Sequence, residues 1–289
     1  MPAIHSTPDL VPASLFYYTP PADGSKGRTY ITQPPEGIPQ VNYEPVKHIM
    51  DIENVRGKQD AYDLDGAGFL FAKHPAKHQA FVDDEEIERE YYPESIELLK
   101  ELTGASKVVL FDHTIRRRRE GESGMDPKKR TPVPRVHVDQ TSQAAVNRVL
   151  RHLPEEEARE RLKHRFQIIN LWRPISHPAL DWPLALCDYR TVDAKNDLVP
   201  VDLVYPDKVG ETFGVQYNPK HKWKYLKGMT PEEVVLIKCY DSIEDGSVAV
   251  LTPHTAFEDS TTPSESPYRE SIEVRALVFY DDYRSPMPL

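Results

Sequence analysis

The stretch Arg135-Val136-His137-Val138-Asp139 decides how this chain is interpreted, because polar and apolar residues alternate along it. Such alternation predicts a half-buried β-strand. Side chains two positions apart in a strand point to the same face, so His137 and Asp139 project together while Val138 points the opposite way. An imidazole and a carboxylate on one face are two of the ligands that a metal site requires.

A third candidate ligand, His254, comes much later, at the end of the apolar residues 248–253. That run predicts a strand, which could place His254 beside the first pair. Two imidazoles and one carboxylate on one face of an octahedral ion form the facial triad that holds non-haem Fe(II). The remaining positions would accept a keto-acid cosubstrate and O2. The sequence therefore predicts an iron site formed by His137, Asp139 and His254.

A keto-acid cosubstrate such as 2-oxoglutarate needs a cation for its far carboxylate, and a guanidinium meets a carboxylate with two parallel hydrogen bonds. The last predicted strand supplies Arg269, Ser271 and Arg275, which share one parity and hence one face. Either arginine could bind the carboxylate, and Ser271 could add a hydrogen bond. The sequence leaves the choice between the two arginines open.

The other potential metal ligands are less suitable. Asp112 and His113 are adjacent, so on a strand they face opposite ways and form a poor chelate. Cys187 and Cys239 lie in separate apolar runs, and the sequence has no CxxC pair. Two such cysteines exclude a disulfide scaffold and are predicted to be buried free thiols.

Three further side chains are candidates for contact with the substrate. Asn170 and Trp172 have the same parity in the predicted strand at residues 166–174, so they could face the pocket together. An ordinary core position is the alternative for Trp172. Arg190 follows an apolar run and could line the mouth of the pocket.

Bulk composition limits the class of protein. The 289 residues are 39% hydrophobic, which allows one large core, and a net charge of −10 argues against a nucleic-acid partner. No apolar stretch approaches the roughly 18–20 residues that span a bilayer, so no membrane partner is expected. Residues 1–9 show no secretory signal, so the cytoplasm is the expected location. A small molecule is the expected partner.

Secondary-structure patterns predict a mainly β protein with a single domain at residues 1–289. Many short strand-like segments separated by prolines indicate a β-sandwich or barrel core at residues 104–289. An N-terminal part, residues 1–103, would pack on it. Within that part, the proline-rich residues 1–45 predict an extended, irregular arm that contains one strand at residues 28–32. The aromatic residues of this arm could also serve a homodimer contact. The predicted helices are residues 92–103, 142–153 and 155–164, and a late strand is predicted at 247–251.

Five short motifs resemble the fungal hydroxylase/desaturase family of Fe(II)/2-oxoglutarate oxygenases, which includes gibberellin desaturases and the aspergillic-acid hydroxylase. They are VHVDQT at 136–141, INLWRP at 169–174, PLALCD at 183–188, PHTAF at 253–257 and RESIEVR at 269–275. The similarity covers residues 105–283, whereas residues 1–100 are less distinctive.

The resemblance implies a double-stranded β-helix core (jelly-roll, cupin-like) with flanking helices, and iron held by His137, Asp139 and His254. It implies that Fe(II), 2-oxoglutarate and O2 are used to hydroxylate or desaturate an unactivated C–H bond of a small natural product in secondary metabolism. Two alternatives remain open from the sequence. One is an iron cupin that works without 2-oxoglutarate, and the other is a catalytically degenerate jelly-roll that only binds ligands.

Overall fold

Two β-sheets form the body of the protein, which a computed structural model describes for residues 9–121 and 129–284. In chain order the strands are β1 (Leu10–Thr19), β2 (Arg28–Tyr30), β3 (Glu44–Asn54), β4 (Phe69–Lys73), β5 (Lys107–Arg117), β6 (His137–Val138), β7 (His164–Pro174), β8 (Leu184–Cys187), β9 (Leu198–Val204), β10 (Val209–Val215), β11 (Trp223–Tyr225), β12 (Glu233–Asp241), β13 (His254–Ala256) and β14 (Glu270–Arg284).

The larger sheet has the strand order β1-β3-β11-β8-β13-β6-β10-β9-β2, and the smaller sheet has the order β4-β12-β7-β14-β5. Most neighbouring strands are antiparallel, and many neighbours in a sheet are distant in sequence. This mainly β architecture is the jelly-roll that the sequence motifs implied. Its short central strands β6 and β13 lie side by side in the larger sheet.

The inner face of the smaller sheet contributes apolar residues to a core shared with the larger sheet and two helices. Trp172 of β7, Val235 and Ile237 of β12, and Leu277 of β14 belong to this core, together with Leu186 of β8. The polar residues of β7 and β14 that carry the site stand on the same inner face, because they keep the parity of these core residues.

The helices cover the outside of this body. They are α1 (Asp84–Glu86), α2 (Tyr92–Thr103), α3 (Ser142–His152), α4 (Glu155–Arg161) and α5 (Ala194–Asp197), and a π-helical turn (Ile87–Tyr91) joins the first two. Thr141 caps α3 by accepting a hydrogen bond from the backbone N–H of Ala144. Gly104 ends α2 in the left-handed conformation, at φ 71°. The predicted helices over α2, α3 and α4 are thus confirmed. No helix in the described ranges is long and apolar enough to span a membrane.

The prediction of an irregular N-terminal arm was wrong for residues 10–19, which form β1, whereas its strand at residues 28–32 is confirmed by β2. β1 and β3 pair along ten residues and form one end of the larger sheet. The prolines suggested a loop, but Pro12 lies in β1, which is the edge strand of that sheet. A proline on an edge strand can direct its missing N–H away from the ladder, so it does not break the sheet.

The strand predicted at residues 247–251 is also absent, since these residues form a loop that leads into β13. The backbone N–H of Ala249 donates to the carbonyl of Asp65, and the hydroxyl of Thr252 donates to the carbonyl of Gly68. The hydrogen bonds of this segment therefore go to another loop rather than to a strand. As a result His254 begins a strand instead of ending one.

Candidate metal centre

His137, Asp139 and His254 converge at the centre of the larger sheet. β6 and β13 run antiparallel with His137 directly opposite His254, and the two imidazole rings are 4.4 Å apart. Asp139 follows β6 immediately, and its Oδ1 lies 3.4 Å from His137 Nε2 and 3.8 Å from His254 Nε2. One ligand atom from each residue lies within 4.8 Å of the other two. The alternation of the 135–139 stretch and the pairing of two remote strands thus create one compact donor set.

Both imidazoles are held by backbone carbonyls on the side away from the centre. The Nδ1 atom of His137 is 2.8 Å from the carbonyl oxygen of Arg135, and the Nδ1 atom of His254 is 3.0 Å from that of Thr252. A carbonyl can only accept, so in each ring the proton lies on Nδ1. The Nε2 lone pairs consequently face the centre, which is the arrangement that metal-binding histidines require.

Asp139 is oriented by a neighbouring amide. Asn170 Nδ2 donates a 2.6 Å hydrogen bond to Oδ2 of Asp139, so Oδ1 is left facing the two imidazoles. The thiol of Cys239 lies 3.9 Å from the same Oδ2 atom. Asn170, which was predicted to contact substrate, therefore makes its contact with a candidate metal ligand.

The charges of these residues suit a ferrous ion. Burial raises the pKa of Asp139, but the close approach of His137 and the electrostatic influence of His254 outweigh it and hold the pKa well below its usual value. Burial, followed by the influence of His137, lowers the pKa of His254 to about 4. A carboxylate and a neutral imidazole at neutral pH are the protonation states in which these groups bind metals.

A cavity of about 730 Å³ opens onto this centre, and His137 and Asp139 form part of its wall. Arg275 of β14 also lines the cavity, and Asp112 of β5 already binds it through Nε at 2.5 Å and Nη2 at 2.8 Å. Although burial opposes it, the charge of Asp112 raises the pKa of Arg275. Arg275 thus has a carboxylate partner within the protein.

Arg269 has no such carboxylate partner among the residues that the structure describes, although it is only 2% exposed. Its Nη1 donates to the carbonyl of Trp182 at 2.5 Å, and its guanidinium lies 5.6 Å from the ring of Trp172. Asp181 accepts from the backbone N–H of Arg269, not from its side chain. In the described part of the chain, Nε of Arg269 has no hydrogen-bond partner, and burial lowers the pKa of the guanidinium to about 9. A buried cation with an unused donor is suited to an external carboxylate.

The remaining predicted residues lie in different surroundings. Ser271 is buried on the same face of β14 as Arg269 and pairs in register with Arg116 of β5. Trp172 is a buried neighbour of Arg269. Arg190 turns back onto Asp188, with Nε and Nη2 at 2.8 and 2.6 Å from the carboxylate, and it does not line the large cavity.

Two residues of the inner face were missed by the sequence analysis. Arg116, in the basic run at residues 116–119, lines the cavity and donates to the carbonyl of Thr131 at 3.0 Å. Glu273 is buried on the last strand, where burial, followed by the charge of Asp139, raises its pKa. Parity was the usable signal for Glu273, because it shares a strand face with Ser271 and Arg275.

Comparisons with known proteins agree with this geometry. A family model described as an oxidoreductase/YMDC permease-like domain matches residues 15–279. The chain is 34% identical to hydroxylase/desaturase efuI of Hormonema carpetanum, over 94% of this chain and 96% of the relative. It is 33% identical to the Fe(II)/2-oxoglutarate-dependent dioxygenase nvfI of Aspergillus novofumigatus, over 92% of this chain and 96% of the relative.

A solved structure is similar over nearly the whole chain. The structure of NvfI, described as an iron and alpha-ketoglutarate-dependent endoperoxidase, superposes with a TM-score of 0.83 at 31% identity, covering 94% of this chain and 98% of that one. Together these relatives favour the oxygenase over the iron cupin and the degenerate binding protein. The chain belongs to the fungal hydroxylase/desaturase family of Fe(II)/2-oxoglutarate-dependent dioxygenases, the enzymes of secondary metabolism that use Fe(II), 2-oxoglutarate and O2.

Proposed function

We propose that this dioxygenase oxidises an unactivated C–H bond of a small natural product by hydroxylation or desaturation, with His137, Asp139 and His254 as its iron ligands. The observation that carries the proposal is the convergence of two Nε2 lone pairs and one carboxylate oxygen at the wall of a large cavity. Three protein ligands leave half of an octahedral ion free for cosubstrate and O2.

We further propose that Arg269, assisted by Ser271, binds the far carboxylate of 2-oxoglutarate. Arg275 is the weaker candidate because its Nε and Nη2 donors are engaged by Asp112. Arg269 lacks an ion pair with the described residues and has an unused Nε donor. Because a buried guanidinium without an anion is costly, cosubstrate binding would remove a penalty that the empty protein carries.

In this proposal the protein residues position the groups and exclude water. Iron, 2-oxoglutarate and O2 supply the oxidising power when bound, and the chain decides which C–H bond they meet. Asn170 and the two backbone carbonyls fix the three ligands, while Trp172 covers the guanidinium of Arg269. Hydroxylation and desaturation differ by small shifts of the substrate in the cavity. Relatives are named both hydroxylase/desaturase and endoperoxidase, so this choice depends on the cavity of each enzyme.

The test is reconstitution under anaerobic conditions with Fe(II) and 2-oxoglutarate. We expect a weak visible absorption from charge transfer between iron and the keto acid, followed by succinate formation when O2 is admitted. A screen of small apolar metabolites with mass detection would then separate a gain of one oxygen from a loss of two hydrogens. Substrate oxidation without succinate would instead support an iron enzyme that does not use 2-oxoglutarate.

Three further properties are also proposals. The cytoplasm suits an enzyme whose two cysteines, Cys187 and Cys239, are both free and buried. A nucleic-acid partner is not expected at a net charge of −10. A homodimer contact through the N-terminal strands stays a prediction, and sedimentation of the purified protein would test it.

A further inference from the structure

Positive charge is concentrated on the wall of the large cavity, although the chain as a whole is acidic. The net charge is −10. Among the described residues that line the cavity, however, six arginines and one lysine face three carboxylates. An internal surface of opposite sign to the rest of the protein indicates the charge of the ligand that it receives.

The three carboxylates of the cavity wall are already engaged. Lys26 binds both Asp202, at 2.5 Å, and Glu211, at 2.7 Å. Asp139 belongs to the metal centre described above. Asp112, which lies behind the wall, binds Arg275. None of these groups is therefore free to neutralise the other cations of the wall.

Arg148 is a cation of this wall that has no acidic partner among the described residues. It lies on α3, where Ala144, Arg148 and Arg151 share the face that lines the cavity while Ala145 and Val149 are buried on the other side. The Arg148 guanidinium lies 4.9 Å from the ring of Phe111 and makes no hydrogen bond or ion pair with the residues that the structure describes. A guanidinium held over a ring keeps its edge N–H donors available.

Among the described residues, no carboxylate forms an ion pair with Arg148. Burial, followed by the positive charge of Arg275, lowers the pKa of Arg148, and the charge of Asp112 does not offset them. Arg151, one turn further along α3, is also without an ion pair in the described ranges. Arg148 is half-buried and next to the wall that carries Asp139 and Arg275, so an anion bound there would lie in the same cavity as the metal centre.

We propose that the natural product oxidised by this enzyme carries a carboxylate, and that Arg148 binds this group while the apolar part of the molecule lies against the aromatic wall of the cavity. This inference rests on the proposed function, since it concerns the same cavity. Phe16, Tyr18 and Phe213 supply apolar lining. The volume of about 730 Å³ accommodates a molecule of natural-product size. The 2-oxoglutarate carboxylate is assigned separately, to Arg269.

The first experiment uses a matched pair of fluorescent probes, anthracene-2-carboxylate and its methyl ester. Both are titrated into full-length protein loaded with Mn(II) and 2-oxoglutarate, which does not turn over. Substitution Arg148→Gln should weaken binding of the carboxylate about tenfold, the usual scale for one charge-assisted pair, and leave the ester unchanged. The affinity of Arg148→Lys for the carboxylate should lie between those of the wild type and Arg148→Gln, because lysine keeps the charge but lacks the planar, bidentate guanidinium. Arg89→Gln, an exposed arginine far along the chain from the cavity wall, is the control and should change neither affinity.

The outcomes separate this inference from the proposed function. The proposal is overturned if Arg148→Gln leaves carboxylate binding unchanged or weakens acid and ester equally, provided that circular dichroism shows both variants folded. Binding of 2-oxoglutarate, measured by the iron charge-transfer band, should be the same in the wild-type protein and in Arg148→Gln. Loss of that band in the wild-type protein would contradict the proposed function, whereas an intact band with no acid preference would contradict only the inference.

Discussion

Asn170 and Asp139 are joined by a 2.6 Å hydrogen bond that determines which carboxylate oxygen faces the two histidines. The bond links β7 of the smaller sheet to the end of β6 in the larger sheet. The side-chain amide of Asn170 thus connects the two sheets of the jelly-roll directly at the candidate metal centre. The geometry of the candidate metal centre consequently depends on how the sheets pack, and not only on the strand that carries His137.

Replacing Asn170 with alanine should weaken iron binding by about tenfold to a hundredfold, because partners of a metal ligand contribute on this scale. Without the amide, the Asp139 carboxylate can rotate, and its buried Oδ2 atom loses a hydrogen-bond donor. Competition with a coloured chelator would measure the affinity. Asn147→Ala, at an exposed position of α3, is the matched control. Unchanged iron affinity in Asn170→Ala would show that the bond has no role in positioning Asp139.

The two candidate arginines should give different results in a kinetic comparison. Arg269→Gln should raise the KM for 2-oxoglutarate by about tenfold to a hundredfold, the scale of a charge-assisted bidentate contact. Arg275→Gln should mainly lower thermal stability, because it leaves Asp112 without its partner. Succinate formation as a function of 2-oxoglutarate concentration distinguishes them. If Arg275→Gln raises the KM for 2-oxoglutarate more than Arg269→Gln does, then Arg275 binds the cosubstrate carboxylate.

Removing one imidazole should abolish both metal retention and turnover. Mn(II) at about a hundred times its Kd should stabilise the wild-type protein by about 2.7 kcal/mol, because it binds only the folded state. His137→Ala should lose this increase in Tm, whereas His177→Ala, at a partly exposed histidine outside the centre, should keep it. Thermal unfolding with and without metal gives the comparison. If His137→Ala converts 2-oxoglutarate to succinate at the wild-type rate, the ligand assignment is wrong.

The metal centre was accessible from the sequence because it depends on a local rule. Side chains at i and i+2 of a strand share a face, which paired His137 with Asp139 before any tertiary structure was known. The distinction between Arg269 and Arg275 was not accessible in this way, since both obey the same parity. It depends on Asp112, a residue of another strand, and on which guanidinium that carboxylate reaches.

The errors in the fold prediction have the same origin. Pro12 favours a loop by itself, and only its position on the edge strand β1 makes it compatible with a sheet. The apolar residues 247–251 resemble a strand, yet the backbone N–H of Ala249 donates to the carbonyl of Asp65 in a loop. Local patterns identified which residues are buried, but the partners of their backbone groups depend on contacts between distant segments.

A buried ion-pair cluster at the end of β12 should contribute to stability without affecting the chemistry. Lys238 and Asp241 are both inaccessible to solvent, and Asp241 also accepts from Arg165 and Gln167. Asp241→Ala should lower the free energy of unfolding by about 3–5 kcal/mol, because it removes the buried one of the two carboxylates, Asp241 and Asp65, that pair with Lys238 and Arg165. The exposed pair of Glu155 and Arg159 is the control, and Glu155→Ala should cost less than about 1 kcal/mol. Urea unfolding measures both variants, and equal losses would contradict the assignment.

Gly214 is required next to the metal centre because no space remains for a side chain. It lies opposite His137 in the pairing of β10 with β6, and a Cβ atom there would lie 2.6 Å from the ring of Tyr18. Gly214→Ala should therefore displace β10 or Tyr18, lower stability by about 1–3 kcal/mol and weaken iron binding.

A double-mutant cycle with Tyr18→Gly isolates this steric cause, because the Tyr18 Cβ would itself lie 2.9 Å from a Cβ at position 214 and must also be removed. If the Tyr18 side chain is the obstacle, Gly214→Ala should have little further effect on stability or iron affinity in the Tyr18→Gly background. Stability from urea unfolding and iron affinity from chelator competition should recover together, since both depend on the position of β6. If Gly214→Ala instead has the same effect in both backgrounds, the cause lies in the backbone of β10. Tyr18 would then have no role in positioning His137.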